Sequence, residues 1–222
     1  MRDLATTLRV EIKPGVVHFP GLLDRHAQES LRDDIYAAIS AAELFQPTMP
    51  RWGNPMSVKI LNLGPFGWVS DKSGYRYQKT HPVTGKDWPP IFPMLLSIWD
   101  HLTNSYPKPE ACLINYYAST AKMGMHQDRD EEDFDAPVVS LSLGDSALFR
   151  IGTAERGGPS QSFKLHSGDG LVFGGPARLD FHGIDRVYPQ TSTLLTEGGR
   201  FNLTLRRVTK PTADEISSFG RA

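Results

Sequence analysis

R-F-N-L-T-L-R-R-V, residues 200–208, has the two-residue period of a β-strand. Side chains alternate across a strand, so Phe201, Leu203 and Leu205 share one face, and Arg200, Asn202, Thr204 and Arg206 share the other. The apolar face demands a core. The polar face carries two arginines, roughly 20 Å apart along an extended chain at ~3.3 Å per residue. Two long side chains bending toward each other leave a gap the size of a small dicarboxylate. Arginine suits that task because its planar fork grips a carboxylate with paired hydrogen bonds. The competing reading is a solvent-facing strand with ordinary surface ion pairs.

Working outward, short alternating or apolar runs precede this strand at 111–117, 138–143, 147–151, 161–165 and 170–173, with a further piece around Phe181. Glycine, proline and aspartate punctuate them. Strands so short and so spaced predict a double-sheet β-barrel or jelly roll. Upstream lies a strand at 16–19. A helix is then expected over 22–44, where Leu23, Ala27, Leu31, Ile35 and Ala38 recur at helical spacing, ended by Pro47 and Pro50. A second helix fits 91–103, with Ile91, Leu95, Ile98 and Leu102 as its stripe. Between them, 51–90 reads as loop-rich. The expected class is α+β: N-terminal helices, then an all-β jelly-roll core. The chain reads as a single domain over 1–222, with 47–90 as a lid on the barrel, 111–208 as the core and 209–222 as a mobile tail holding at most a short helical piece.

Bulk composition narrows the classes. A formal net charge of −1 over 222 residues gives no global basic signature for nucleic acid. The single cysteine, Cys112, permits no internal disulfide and fits a reducing cytosol. The opening M-R-D-L-A-T-T-L-R-V lacks the apolar segment of a signal peptide. No apolar run approaches the ~20 residues needed to span a membrane. A cytoplasmic monomer without a membrane partner is the expectation.

The chemistry gathers around M-G-M-H-Q-D-R-D, residues 123–130. In an extended chain His126 and Asp128 lie on one face and can reach one ion. Two histidines and a carboxylate on one face are the ligand set of non-haem iron(II) oxygenases, which leaves positions open for reactants. His182, in L-D-F-H-G-I, is the best third ligand, and His166, in an S-G-D-G context, is the weaker one. His18, His26, His81 and His101 fall in the early helical and loop part. A lone H-x-D is equally a polar turn rich in acids. Joined to a distant histidine and to Arg-x-Asn-x-Thr-x-Arg on one strand face, it becomes far more specific. On the strand at 112–117, Leu113, Asn115 and Tyr117 share a face and offer groups that bind a small anion.

The segments C-L-I-N-Y-Y, H-Q-D-R-D-E, A-P-V-V-S-L-S-L-G, F-H-G-I and R-F-N-L-T-L-R occur here in the order of a known family. The sequence resembles the bacterial AlkB-type Fe(II)/2-oxoglutarate-dependent nucleic-acid demethylases, over 47–208. The resemblance implies a double-stranded β-helix with a nucleotide-recognition lid. It implies Fe(II) on His126, Asp128 and His182, with O2 as co-substrate. Arg200 and Arg206 would each hold one carboxylate of 2-oxoglutarate, and Asn115, Tyr117 and Asn202 would complete that pocket. The activity implied is oxidative demethylation of 1-methyladenine and 3-methylcytosine in DNA, with RNA as a further substrate, releasing formaldehyde, succinate and CO2. Two departures stand out. Tyr116 replaces a familiar arginine, which could alter packing or cosubstrate access, and M-G-M-H replaces a Leu-Ser-Leu-His approach.

The lid carries the substrate argument. Between residues 51 and 86 stand Arg51, Lys59, Lys72, Arg76, Lys79 and Lys86 against Asp71 alone, interleaved with Trp52, Phe66, Trp68, Tyr75 and Tyr77. Basic groups neutralise phosphates and aromatic rings stack on bases that have left a helix. A β-hairpin would present both over the barrel mouth. The resemblance makes Trp68 the ring that stacks on the damaged base, with Tyr75 and Tyr77 holding it or its phosphates. Asp130 would face the base edge and attract a base made cationic by methylation, and Arg156 would be a further contact. Most of the acidic run 130–135 would repel phosphate and is expected to point away from the strand path. Two other classes compete: a 2-oxoglutarate oxygenase acting on a protein or small molecule, and a non-enzymatic metal-binding jelly roll. The first would not depend on Trp68 and Tyr75, and the second would not turn over 2-oxoglutarate.

Overall fold

The computed structural model describes residues 7–219, so part of the opening stretch screened for a signal peptide and the last three tail positions lie outside it. In chain order the elements are β1 (Val10–Lys13), β2 (Val16–Phe19), α1 (Arg25–Ala41), β3 (Val58–Leu63), β4 (Gly67–Asp71), β5 (Gly74–Gln78), α2 (Pro93–Leu102) and β6 (Ala111–Tyr117). There follow β7 (Met123–His126), β8 (Val138–Gly144), β9 (Ser146–Ile151), β10 (Gln161–Leu165), β11 (Gly170–Phe173), β12 (His182–Tyr188), β13 (Arg200–Arg206) and α3 (Ala213–Phe219). A seven-stranded sheet runs β1-β2-β11-β8-β13-β6-β3, a four-stranded sheet runs β10-β9-β12-β7, and β4-β5 stand apart as a hairpin.

Two cores result. One lies between the large sheet and the helices. Leu31 and Ile35 of α1 and Leu95, Ile98 and Trp99 of α2 meet Ile114, Leu141, Leu203 and Leu205 there. The other fills the space between the two sheets, from Leu113 and Val138 to Phe149 and Ile184. The helices therefore cover one face of the large sheet and the small sheet covers the other, which is the jelly-roll sandwich expected. Helix α1 starts at Arg25 because Asp24 caps it, its side chain accepting from the Ala27 N–H at 2.9 Å. Helix α2 starts at Pro93 rather than at residue 91, since a residue preceding proline resists helical torsions.

Register positions the site. On β13, Arg200 pairs with Tyr117, Asn202 with Asn115 and Thr204 with Leu113, so these side chains share a face. On the other flank Asn202 pairs with Ser142 and Thr204 with Ser140. Both faces of β13 are covered, and the polar one looks into the sandwich, not at solvent: Arg200 is 1 % exposed and Arg206 6 %. Tyr116 belongs to the opposite face, where its ring meets Phe201 at 5.1 Å. Its replacement of an arginine is thus a matter of packing under the helices, on the face of the sheet opposite Arg200 and Asn202.

Three sequence expectations need correction. The stretch 51–90 is not all loop, because β3 is the edge strand of the large sheet, pairing along β6 from Val58↔Tyr117 to Leu63↔Cys112. Its alternation is hidden because five of its six residues are buried. Buried Asn62 then grips Trp68, donating to the Trp68 carbonyl at 2.9 Å and accepting its N–H at 3.0 Å. The tail is not loose through residue 219. Glu215 of α3 accepts from both Arg207 terminal nitrogens, at 2.9 and 3.0 Å, and Phe219 packs edge-on against Tyr106 at 5.3 Å. Last, the acidic run does not all point away from the strand path: Glu131 is buried and lines the cavity, and Asp133 is buried too. Arg178 compensates Glu131, and the Tyr106 hydroxyl donates to Asp133.

Candidate metal centre and cosubstrate pocket

His126 ends β7 and His182 begins β12, and the two residues are register partners in the small sheet. Asp128 follows His126 by two residues, beyond the end of β7. One ligand atom from each of His126, Asp128 and His182 lies within 4.8 Å of the others. The histidine Nε2 atoms stand 3.7 and 3.8 Å from the two carboxylate oxygens. Each imidazole is oriented from behind: Nδ1–H donates to the Gly124 carbonyl for His126 and to the Asp180 carbonyl for His182, both at 3.0 Å. That tautomer leaves Nε2 with a lone pair turned toward the carboxylate, the arrangement a divalent cation requires. His166 takes no part, since its Nδ1 faces Ser146 Oγ at 3.0 Å.

Electrostatics keep the triad ready. Burial, reinforced by neighbouring His126 and only partly opposed by Asp128, pushes the His182 imidazole down to about 4, so it is neutral at pH 7. Burial alone would raise the Asp128 carboxyl. Arg206 foremost, then the two histidines, outweigh it and hold the group ionised well below the usual range. Arg206 achieves this with Nε and Nη2, both donating to Asp128 Oδ2 at 3.0 and 2.8 Å.

The same cavity, about 830 Å³, continues from the triad along β13 and β6, lined by Asn115, Tyr117, Arg200, Asn202 and Arg206. Arg200 is the unusual member. Its guanidinium is buried against the Tyr117 ring, 5.3 Å from the centroid, and Nη2 donates to Ser142 Oγ at 2.9 Å. Its Nε and Nη1, and Asn115 Oδ1, are buried without a hydrogen-bond partner. A buried cation without an anion is costly, so the site is built for an anion the protein itself does not supply. Asn202 is committed locally, donating to Ser140 Oγ at 2.7 Å and accepting from Thr204 at 3.1 Å.

At the open end Trp68, Tyr75, Tyr77, Asp130 and Arg156 line the mouth. Trp68 and Tyr75, non-adjacent residues of the β4–β5 hairpin, stack at 5.6 Å and 17°. The Trp68 indole N–H donates to Asp130 Oδ2 at 2.8 Å. The Tyr77 hydroxyl donates to Glu131, and the Arg156 guanidinium lies 4.7 Å over the Phe181 ring. Two residues escaped the sequence reading. Arg178 donates to the Asp128 carbonyl at 2.6 Å and to Glu131 Oε2 at 3.1 Å, and Glu131 also reaches Arg206 at 3.5 Å. This buried network ties the candidate ligand Asp128 to Tyr77 of the β4–β5 hairpin. No local pattern could have revealed a pair separated by that much chain.

Two histidines and one carboxylate at the mouth of a jelly roll, beside a buried arginine that lacks its anion, define a class: mononuclear non-haem iron oxygenases that use a carboxylate cosubstrate. Residues 15–206 match the family model described as the 2OG-Fe(II) oxygenase superfamily. The "Alpha-ketoglutarate-dependent dioxygenase AlkB homolog" of Caulobacter vibrioides (strain NA1000 / CB15N) is 48% identical over 196 residues, covering 88% of this chain and 89% of that one. The "Alpha-ketoglutarate-dependent dioxygenase AlkB" of Escherichia coli (strain K12) is 39% identical over 189 residues, covering 83% and 87%. The solved structure of OsALKBH1 superposes with a TM-score of 0.78 at 31% identity, covering 90% of this chain and all of that one. The chain belongs to the AlkB family of Fe(II)- and 2-oxoglutarate-dependent dioxygenases.

Proposed function

We propose that this protein oxidatively demethylates N-alkylated bases in DNA, and in RNA, with 1-methyladenine and 3-methylcytosine as substrates. One observation carries this reading: the stacked Trp68–Tyr75 pair and the Asp130 carboxylate line the cavity that holds the triad. A base made cationic by methylation is attracted by both, by ring stacking and by opposite charge. Its methyl group is unreachable in a stacked duplex, so the base must be flipped out or already unpaired.

Fe(II) would be held by His126, Asp128 and His182. The donor set fits, with two neutral Nε2 lone pairs and an ionised carboxylate. The unpartnered donors of Arg200 fit one carboxylate of 2-oxoglutarate, with Asn115, Tyr117 and Asn202 around it. Arg206, which already donates to Asp128, and Arg200 would each hold one carboxylate of 2-oxoglutarate. When bound, iron and 2-oxoglutarate supply the oxidation, one oxygen atom of O2 ending in succinate and the other on the alkyl carbon, with release of CO2 and formaldehyde.

The protein's own part is orientation and exclusion. Asp180 and Gly124 hold the imidazoles, and Arg206 keeps Asp128 charged. Trp68, backed by the Tyr75 ring, offers a face for the base to stack on. Asp130 can still accept from a base edge, because a carboxylate accepts several hydrogen bonds. The Tyr77–Glu131 contact draws the hairpin down over the cavity and helps to keep water out. The same reading has the chain work as a monomer in the cytoplasm, where its one cysteine, Cys112, is fully buried. No helix among the described residues is long and apolar enough to cross a membrane.

The test is mass spectrometry of a short single-stranded oligonucleotide carrying one 3-methylcytosine, incubated with protein, Fe(II), 2-oxoglutarate, ascorbate and air. Methyl loss that requires both iron and 2-oxoglutarate is expected. Succinate formed without methyl loss on DNA or RNA would move the substrate to a protein or small molecule.

A further inference from the structure

The aromatic residues of the lid differ in where they stand. Trp68 and Tyr77 reach into the cavity and are hydrogen-bonded there. Trp52 lies at the tip of a separate turn and leaves 68 % of its surface in solvent. A single exposed apolar residue is ordinary. Three features set this one apart.

The first is rigidity. The Gly53 N–H donates to the Met49 carbonyl at 2.7 Å and the Met49 N–H to the Asn54 carbonyl at 2.8 Å, closing a tight hairpin beneath the ring. Gly53 adopts φ +67°, a torsion that side chains resist. The turn is fastened to β4: the Thr48 N–H donates to the Ser70 carbonyl at 3.2 Å, and Ser70 Oγ donates back to the Thr48 carbonyl at 2.6 Å.

The second is charge. The Arg51 guanidinium lies over the indole, 4.6 Å from its centroid. Lys72, at the tip of the β4–β5 hairpin, brings its Cε to 3.9 Å from where a side chain on Gly53 would begin. The third is continuity. Met49 of the same turn and Tyr75 of the neighbouring hairpin both line the cavity, so the turn forms part of the cavity rim.

A rigid, solvent-facing indole flanked by cations beside the cavity mouth has the chemistry of a single-strand nucleic-acid contact: rings stack on bases and cations meet phosphates. We propose that Trp52 and Arg51 form a second stacking platform that holds the nucleotide flanking the target base. This rests on the reading that the cavity takes a base from nucleic acid. Stacking on a ring face tolerates any base, so the platform would add affinity for polynucleotide without adding sequence preference.

The experiment compares substrate length. Demethylation is measured on 3-methylcytidine 5′-monophosphate and on a pentanucleotide with 3-methylcytosine at its centre, for the wild type, Trp52→Ala, Trp52→Phe and Arg51→Gln. Anisotropy of an undamaged labelled pentanucleotide, without iron, gives binding independently of turnover. In Trp52→Ala the ratio of mononucleotide to pentanucleotide KM should fall by roughly fivefold to a hundredfold, the range expected for losing one stacked base. Anisotropy should show a matching loss of affinity. Trp52→Phe should restore most of it, and Arg51→Gln should flatten the salt dependence of binding. An unchanged length ratio in Trp52→Ala, with the wild type active on both substrates, overturns the platform and leaves the demethylase reading standing. Equal losses on both substrates also overturn it, because the turn would then act only through the lid. A wild type that consumes 2-oxoglutarate but demethylates neither substrate removes the nucleic-acid reading, and the platform with it.

Discussion

The arginine strand β13 and the hairpin β4–β5 face the same cavity and are built in opposite ways. β13 lies inside the large sheet, hydrogen-bonded on both edges, with Arg200, Thr204 and Arg206 buried. The hairpin belongs to neither main sheet. Asn62 and the Ser70–Thr48 contacts hold it at its base, and Trp68–Asp130 and Tyr77–Glu131 hold it over the cavity. The difference follows the chemistry. A small cosubstrate and a metal need donors fixed to fractions of an ångström, which a buried, doubly paired strand provides. On the proposed reading a bulky base must enter and leave, which suits contacts carried on a hairpin outside the main sheets.

The contrast can be tested from its strongest side. On the proposed ligand assignment, replacing His182 by alanine should abolish turnover of any substrate while leaving the circular-dichroism spectrum intact. Measurable turnover in a folded His182→Ala protein would refute the ligand assignment. Next in size is Arg200→Met. Losing one partner of a buried charge pair costs about 2–5 kcal/mol, so the 2-oxoglutarate KM should rise by about thirtyfold or more, with a much smaller change in the nucleic-acid KM. Comparable changes in the two constants would break the division between the regions.

Trp68→Ala probes the other side. Losing one stacked ring should raise the nucleic-acid KM about tenfold, at ~1–3 kcal/mol per stacked base. The ratio of coupled to uncoupled 2-oxoglutarate consumption should fall with it. Unchanged repair kinetics would contradict the stacking role.

The smallest effect concerns the C-terminal helix, remote from both regions. Hydrogen bonds from Arg207, and then from the Thr212 backbone, hold the Glu215 carboxyl down at about 2 from an ordinary 4.5. The folded value is the depressed one. The docking of α3 is therefore fully supported above about pH 4.5 and is lost as pH falls toward 2. The protection factor over α3, which is exchange corrected for the intrinsic rate at each pH, should fall across that window and remain flat from pH 5 to 8. Glu215→Gln should show the faster exchange at neutral pH. Equal exchange in the variant and the wild type would show that the ion pair does not hold the helix.

Legibility in the sequence followed the same division. On β13 the two-residue period placed Arg200, Asn202, Thr204 and Arg206 on one face before any fold was known. Residue type and spacing marked His126 and Asp128, and the helical stripe Ala27, Leu31, Ile35 and Ala38 is buried as its spacing demanded. Strand β3 was hidden because burial on both faces erases alternation, the signal by which a half-buried strand is recognised. The order in α3 was hidden because it depends on Arg207 and Tyr106, not on propensity within a short segment.

By itself, then, the sequence determined local period, residue chemistry and family pattern: a jelly roll, a candidate triad and a candidate dicarboxylate strand. Only the tertiary structure decided that β13's polar face looks inward, that Arg206 rests on Asp128 while Arg200 keeps open donors, and that Arg178 and Glu131 join Asp128 to the β4–β5 hairpin. The physical reason is range. Alternation and capping act between near neighbours and leave a trace in the chain. The pairing of buried charges depends on which distant strands come to lie side by side, and no local pattern records that.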